Sequence, residues 1–333
     1  MDQNKSIEMM VCYYGKEGFY ESGILYYKFH LTTQTFEIMD DVCVGGKINF
    51  IIWNNDQIFA PVESDTQTGI KIFTLNASKL QEKHFMNTEY FYSYGVMKTS
   101  DYGYFASFSS GVDAIIDFHK DSEIEIKEYE NGKSHFINLL EDERVYALDN
   151  GNDKLYVYHD SNKKLVVEKE IEFDKESPRL MPLHPFRKCA YLLMQRTNQI
   201  VVFDSETFEE LQRIQVPDAQ LDIDFCGGIT VDDTGTYVSV TIRIRNEIAL
   251  FKVDDNGMLT YLDSQSCGAM PRDIVCEQEH LFITCSYENK IEVMKIVDDK
   301  LVKISSFLDI DQPITFANKQ MFSMYSRKKG QDI

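Results

Sequence analysis

The stretch Gln199-Ile-Val-Val-Phe203 contains a short pattern that recurs along the chain: an aliphatic residue, two variable positions, then an aromatic residue or methionine. Seven copies run Ile24–Tyr27, Ile70–Phe73, Ile115–Phe118, Leu155–Tyr158, Ile200–Phe203, Ile248–Phe251 and Ile291–Met294. Their last residues are separated by 40 to 48 positions, a period typical of the four-stranded blade of a β-propeller. The pattern therefore predicts seven blades.

Each copy of the pattern after the first has two short apolar runs before it and one after it, so we expect the pattern to form the third strand of its blade. Around the fifth copy the flanking runs are Arg179–His184, Cys189–Met194 and Phe208–Ile214. β-branched and aromatic residues dominate the runs, and loops rich in Asp, Asn, Gly and Ser separate them. Long helical periodicity is absent, which disfavours an α/β nucleotide-binding fold.

The two ends of the chain are expected to share one blade. The first copy has only one apolar run before it, near Met9–Tyr14, and we expect Pro313–Phe316 to supply the missing innermost strand. Such closure removes the open sheet edges that favour aggregation. The sequence predicts an all-β fold, a single seven-bladed propeller domain over residues 1–333, with roughly the last ten residues frayed.

Composition narrows the classes of function. The chain has 333 residues, 43% of them apolar, and 54 acidic against 34 basic residues give a net charge of -20. An acidic surface cannot neutralise phosphate backbones, so we expect no nucleic-acid partner. No stretch has the pattern of a signal peptide or the length of a membrane span, so we expect a cytoplasmic protein with no membrane partner.

The seven cysteines include no Cys-x-x-Cys pair, and no two histidines have metal-ligand spacing. We expect buried, reduced thiols and neither a metal nor another cofactor. No Gly-x-Ser-x-Gly nucleophile elbow and no phosphate-binding glycine loop follows a predicted strand, where such motifs function.

Three segments carry a resemblance to a known family: Gly23–Phe29, Gly227–Val238 and above all Gly268–Ile274, which contains a Pro-Arg-Asp triplet. They resemble the seven-bladed lactonases, a family that includes propeller-type 6-phosphogluconolactonases and fungal carboxymuconate cyclases. The resemblance extends over nearly the whole chain. It implies hydrolysis or formation of a lactone on a sugar acid or muconate, without a metal.

The resemblance also implies site positions. They are Arg179 in a Pro-Arg pair, Arg243 after the second strand of the sixth blade, His135 at the end of a His-x-His element, and Glu63 in the second blade. Three positions depart from the family pattern. Gln195 replaces the usual Glu of the fifth blade, Lys133 replaces the first His of the pair, and Leu180 replaces a His after Pro-Arg. These departures predict weakened catalysis.

Strand polarity gathers these residues independently of the resemblance. Because neighbouring strands are antiparallel, first strands begin and second strands end at one mouth of the central channel. This places eight side chains at that mouth: Tyr94, His135, Arg179, Arg272, Glu63, Asp149, Gln195 and Arg243.

Lactone hydrolysis needs a base for the attacking water and positive groups for the carbonyl oxygen. We predict catalytic roles for His135 or Glu63 as base and for Arg179 and Arg243. We predict substrate-binding roles for Arg272, Gln195 and Tyr94.

Structural alternatives to these roles stay open. His135 could be a hydrogen-bonded lining residue, Glu63 could pair with an arginine, and Asp149 fits a turn. Arg272 and Asp273 could form a structural ion pair.

Three clustered arginines, from only nine in the chain, would attract an anion. We therefore predict a lactonase-like hydrolase of a small anionic sugar lactone, with 6-phosphogluconolactone as the candidate and with weakened activity. The alternative hypothesis is a non-catalytic propeller that binds a metabolite or a protein partner at the channel mouth.

Overall fold

The computed structural model describes residues 5–16, 18–307 and 309–317. Within them, strands β1 to β28, numbered in chain order, form seven four-stranded antiparallel sheets, and a 3-10 helix spans Ser286–Glu288. The prediction of a seven-bladed propeller is confirmed. The predicted frayed end, with Arg327, lies outside the described residues, so the extent of the domain over residues 1–333 stays a prediction.

The strands of each blade are given from the innermost to the outermost. Blade 1 has β28 (Pro313–Ala317), β1 (Ser6–Gly15), β2 (Gly18–His30) and β3 (Thr35–Cys43). Blade 2 has β4 (Ile52–Asn54), β5 (Gln57–Glu63), β6 (Thr68–Asn76) and β7 (Lys79–Asn87). Blade 3 has β8 (Tyr94–Met97), β9 (Tyr102–Ser107), β10 (Val112–Asp117) and β11 (Ser122–Glu128). Blade 4 has β12 (Ser134–Leu139), β13 (Val145–Asp149), β14 (Lys154–Asp160) and β15 (Leu165–Glu172).

The remaining three blades follow the same order. Blade 5 has β16 (Pro178–Leu180), β17 (Cys189–Met194), β18 (Gln199–Asp204) and β19 (Glu210–Gln215). Blade 6 has β20 (Cys226–Val231), β21 (Tyr237–Ile242), β22 (Glu247–Val253) and β23 (Leu259–Ser266). Blade 7 has β24 (Pro271–Glu277), β25 (His280–Cys285), β26 (Lys290–Val297) and β27 (Lys300–Phe307).

The recurring sequence pattern lies in the third strand of every blade, as predicted, although in blade 3 its last residue, Phe118, directly follows β10. Its first residue is fully buried in all seven copies, and its last residue is buried in every copy except Phe118, which packs against the core. In six blades the pairing of third and fourth strands shifts register immediately before that last residue, as it does between Val202 and Phe203. A bulge at this place turns the outer strand and increases its twist. The pattern thus marks a repeated bend as well as a buried strand.

Ring closure follows the prediction. Strand β28 pairs antiparallel with β1, with Val11 opposite Phe316 and Met10 opposite Ala317. Phe316 is fully buried between blades 1 and 7. Within the described part of the chain, no helix reaches the length and hydrophobicity that crossing a bilayer requires. All seven cysteines are free thiols, and five are buried, whereas Cys43 is exposed and Cys267 is half-buried.

Candidate functional site

A cavity of about 340 Å³ lies where the innermost strands begin and the second strands end. Its lining contains five of the eight residues predicted at the channel mouth: Tyr94, His135, Arg179, Arg243 and Arg272. They come from blades 3 to 7, each at the start of an innermost strand or just after a second strand. Antiparallel pairing therefore brings together side chains that are far apart in sequence. Whether they bind or catalyse stays a prediction.

Arg179 is held by two hydrogen bonds. Its Nε donates to the Gly227 carbonyl at 2.8 Å, and its Nη1 donates to Gln195 Oε1 at 2.8 Å. Burial and the neighbouring charges of Arg243 and Arg272 hold its pKa well below the usual range for arginine. Arg179 is thus a fixed guanidinium whose charge is not balanced by its immediate partners.

Arg243 and Arg272 complete a cationic cluster. Arg243 Nε donates to the Phe225 carbonyl at 3.0 Å, and its Nη2 donates to the Cys226 carbonyl at 3.2 Å. Burial and then the charge of Arg272 lower the pKa of Arg243 to about 10. The guanidinium of Arg272 lies 6.0 Å from the centre of the Tyr14 ring.

Among the described residues, no ion pair neutralises this cluster. In the described part of the chain, none of the three arginines has a carboxylate partner at ion-pair distance. The five other described arginines each have one: Arg144 with Asp142, Arg187 with Asp255, Arg196 with Asp222, Arg213 with Glu176 and Arg245 with Glu247. The chain has a net charge of -20, so carboxylates are abundant. The absence of a carboxylate partner therefore distinguishes the three arginines of the cavity from the other described arginines.

His135 is a neutral side chain in this surrounding. Its ring packs edge to face on Phe108, with the ring centres 5.5 Å apart, and its buried Nδ1 has no hydrogen-bond partner among the described residues. Burial and the charges of Arg179, Arg243 and Arg272 lower its pKa well below the usual range. Protonating His135 would add a fourth cation to the cavity.

Glu63 and Gln195 do not line the cavity. Glu63 ends β5, but its carboxylate pairs with Lys47 Nζ at 3.5 Å, so neither the predicted role as base nor the alternative pairing with an arginine matches its contacts. Gln195 reaches the site only through its hydrogen bond to Arg179, so its predicted role in substrate binding stays a prediction. Asp149 is the last residue of β13, and its carboxylate accepts hydrogen bonds from the Lys133 and Gly151 amides at 2.7 and 3.0 Å at the turn that follows.

Asp273 is the lining residue whose role the sequence left open. Its side chain is 8% exposed, and Oδ2 accepts a hydrogen bond from the Phe316 amide at 3.0 Å. Burial raises its pKa to about 6, although the Phe316 hydrogen bond and the charges of Arg179 and Arg272 oppose the rise. No ion pair joins Asp273 to Arg272 among the described residues, so the alternative of a structural pair is not observed. The signal for Asp273 was its place in the Pro-Arg-Asp triplet.

Two glycines allow the approach of blades 6 and 7 at this point. A Cβ on Gly228 would lie 2.9 Å from the Ile274 amide nitrogen and 3.1 Å from Asp273 Cα. A Cβ on Gly227 would lie 3.0 Å from the Arg272 carbonyl oxygen. Side chains at either position would therefore separate the two innermost strands and displace the residues of the triplet.

Aromatic side chains form the opposite wall. Tyr94 stacks on Phe50 with ring centres 4.2 Å apart and packs against Phe136 at 4.4 Å. Tyr287 lies at the rim and is 71% exposed. The cavity thus combines three cations, one carboxyl group, a neutral imidazole and an apolar wall. Among the described residues, no group of three or more metal-ligating side chains is arranged to hold a metal ion.

Comparison with known proteins gives two kinds of match. A family model described as "Lactonase, 7-bladed beta-propeller" matches residues 11–317. The 6-phosphogluconolactonase of Bacillus subtilis (strain 168) is 29% identical over 182 residues, which are 51% of this chain and 52% of that protein. The aligned part therefore spans about half the length of this curated relative.

Two solved structures share the fold. A protein from Lactobacillus plantarum superposes with a TM-score of 0.84 at 17% identity, covering 94% of this chain and 99% of that chain. The periplasmic gluconolactonase PpgL of Pseudomonas aeruginosa gives 0.81 at 17% identity, with the same coverage of both chains. At this identity the superpositions show the architecture alone.

Proposed function

Because the chain belongs to the seven-bladed β-propeller lactonase family, we propose that it hydrolyses the ring ester of a small anionic lactone in the cavity described above. The candidate substrate is a sugar-acid lactone, 6-phosphogluconolactone, the substrate class in the name of the Bacillus subtilis relative. The observation that carries the proposal is the group of three arginines without ion pairs.

The arginine cluster is suited to an anionic ligand for a simple chemical reason. A guanidinium presents fixed N–H donors that match the oxygens of a phosphate or carboxylate, and such charge-assisted hydrogen bonds are stronger than neutral ones. In this acidic chain the other described arginines already have carboxylate partners. Arg179, Arg243 and Arg272 retain donors for a phosphate and for the oxygen that gains charge when water attacks the lactone carbonyl.

His135 and Tyr94 shape the wall of the cavity. The imidazole is neutral, and its Nδ1 is buried without a hydrogen-bond partner among the described residues, so the ring adds no charge beside the three arginines. Tyr94 packs between Phe50 and Phe136 and forms part of the apolar wall.

Turnover of 6-phosphogluconolactone by the purified protein, measured above spontaneous hydrolysis, tests the proposal. Arg179→Ala removes one donor fork, and we expect its KM to rise about 10- to 100-fold, corresponding to a charge-assisted hydrogen bond of about 1.5–3 kcal/mol. Arg196→Ala is the matched control, because Arg196 pairs with Asp222 outside the cavity, and it should behave as the unmodified protein. Equal effects of Arg179→Ala and Arg196→Ala on KM would contradict the proposal. So would an unmodified protein that neither hydrolyses nor binds 6-phosphogluconolactone.

The non-catalytic alternative is favoured by one observation, the exposed aromatic side chains at the rim. Tyr287 and Phe108 line the cavity and reach solvent, and Phe19 packs on Tyr14 beside Arg272. Exposed aromatic side chains are typical of surfaces that bind another protein. Calorimetric binding of 6-phosphogluconate without any turnover of the lactone would support this alternative.

A further inference from the structure

One carboxyl group lies inside the cavity. Asp273 is the only aspartate or glutamate among the described residues that line it, and it lies in β24 directly after Arg272. Its carboxylate has no ion-pair partner in the described part of the chain, although the charges of Arg179 and Arg272 act to lower its pKa.

We propose that Asp273 is the catalytic base of the cavity, which takes a proton from the attacking water and returns it to the leaving alkoxide. The inference rests on the proposed lactonase function and assigns to Asp273 the role that the sequence gave to His135 or Glu63.

The charges in the cavity favour a carboxylate over an imidazole as proton acceptor. A proton on His135 would create a fourth cation among three arginines, whereas a proton on Asp273 produces a neutral group. Burial raises the pKa of Asp273 to about 6, so the group is ionised at neutral pH and still binds a proton readily. A base whose pKa lies near the working pH is efficient in both directions of proton transfer.

The backbone fixes the carboxyl group. Phe316 N–H donates to Oδ2 at 3.0 Å, and the Asp273 amide donates to Thr284 Oγ1 at 2.9 Å. Because Gly228 has no side chain, Asp273 Cα can lie close to the neighbouring strand of blade 6. The carboxylate is therefore anchored on strands of blades 1 and 7 and not on a loop, which is what a precisely positioned catalytic group needs.

The proton balance is complete without another reactant. Asp273 removes a proton from the water molecule while the water oxygen forms a bond to the lactone carbonyl carbon. The electron pair of the carbonyl double bond moves to the carbonyl oxygen, to which an arginine donates hydrogen bonds. Collapse of this intermediate breaks the ring C–O bond. The protonated Asp273 then gives its proton to the alkoxide, so the products are the hydroxy acid and the original carboxylate.

The test is Asp273→Asn in the full chain with 6-phosphogluconolactone as substrate. An asparagine oxygen still accepts the Phe316 N–H, so the fold is expected to persist, as circular dichroism and thermal unfolding would check. We expect kcat to fall about 10²- to 10⁴-fold while the affinity for 6-phosphogluconate is retained. In the unmodified protein kcat/KM should rise with pH through about 6, and this limb should vanish in the variant.

Asp113→Asn is the matched control. Asp113 is also a buried carboxyl group whose pKa is raised, to about 7, but it does not line the cavity. Its replacement should leave kcat and the pH profile unchanged.

Unchanged kcat in Asp273→Asn, or a parallel loss of binding and thermal stability, would overturn the inference and make Asp273 a structural residue. An unmodified protein that neither binds 6-phosphogluconate nor hydrolyses its lactone would instead overturn the proposed function, and the inference with it.

Discussion

Gln195 occupies a position where a single charge would change the site. Its side-chain oxygen accepts a hydrogen bond from Arg179, and the amide leaves the guanidinium charge available to a ligand. A carboxylate at the same place would satisfy and neutralise Arg179. Under the proposed function, the glutamine therefore leaves Arg179 able to bind the anionic substrate.

We expect Gln195→Glu to weaken the affinity for 6-phosphogluconate about tenfold, because the new carboxylate competes with the ligand for Arg179. Isothermal titration calorimetry measures the change. Gln199→Glu is the matched control, since Gln199 accepts a hydrogen bond from Arg213 outside the cavity at 3.2 Å. If Gln195→Glu instead raised turnover at unchanged affinity, Gln195 would stand in the place of a catalytic carboxylate, as the sequence predicts, and would not be a positioning group.

Cavity residues were predicted correctly from the sequence where their place at the start of an innermost strand was enough to put them at the cavity. The starts of innermost strands placed Tyr94, His135, Arg179 and Arg272 at the cavity. Prediction was less successful at the ends of second strands, because successive side chains alternate between the two faces of a strand and a bulge changes that alternation. Glu63 lies at the end of a second strand, as expected, but its side chain forms an ion pair with Lys47.

Among the elements, strands β10, β12 and β14 are joined by a buried polar network. Asp113 in β10 accepts hydrogen bonds from the Ser134 hydroxyl in β12 and, at 2.5 Å, from the Tyr158 hydroxyl in β14. Burial raises the pKa of Asp113 to about 7, although both hydrogen bonds oppose the rise. The network therefore links blade 3 to blade 4 through a carboxyl group that is easily protonated.

This network makes a prediction about stability and pH. Because the folded-state pKa of Asp113 is raised from 3.8 to about 7, its protonated form favours the folded state, and this contribution is lost as pH rises between these values. We expect the difference in unfolding free energy between Asp113→Asn and the unmodified protein to change across this window and to be constant above it. Urea unfolding at a series of pH values measures it.

Asp273, with a pKa raised in the same direction, is present in both proteins and cancels in the comparison. A difference that is constant from pH 4 to 8 would contradict the assignment to Asp113.

The recurring pattern of the third strands explains why the elements were predictable from sequence. Six of the seven copies combine a buried aliphatic residue with a large residue directly after the bulge, so packing and strand geometry constrain the same four positions. The first strand of blade 5 was predicted from Arg179 to His184 but ends at Leu180. Pro182 lacks an N–H for the strand ladder, and pairing resumes only in a bridge between Leu183 and Ala190.

At the scale of the whole molecule, an acidic chain places its three described arginines without ion pairs around one cavity. A net charge of -20 surrounds a cavity with three arginines, and low-dielectric walls concentrate the field of such a cluster. The same strands that close the ring build this cavity, so the fold and the candidate site depend on one another.

Strand β28 shows this dependence most directly, because it contacts three blades. It pairs with β1 in blade 1, Thr315 Oγ1 donates to the Asn49 carbonyl at 2.9 Å before blade 2, and Ser286 Oγ donates to the Pro313 carbonyl at 2.5 Å beside blade 7. Ile314 and Thr315 also line the cavity, and Phe316 anchors Asp273.

A chain that ends at Gln312 should lose both closure and site. Without β28 the inner edge of β1 exposes unpaired N–H and C=O groups, and such edges pair with other chains. We expect a lower melting temperature, oligomers in light scattering, and loss of 6-phosphogluconate binding. A chain that ends at Ala317 keeps every described strand and is the control, for which we expect monomers and full binding. A Gln312-terminated chain that stayed monomeric with an unchanged melting temperature would show that the remaining 27 described strands hold the ring closed without the C-terminal strand.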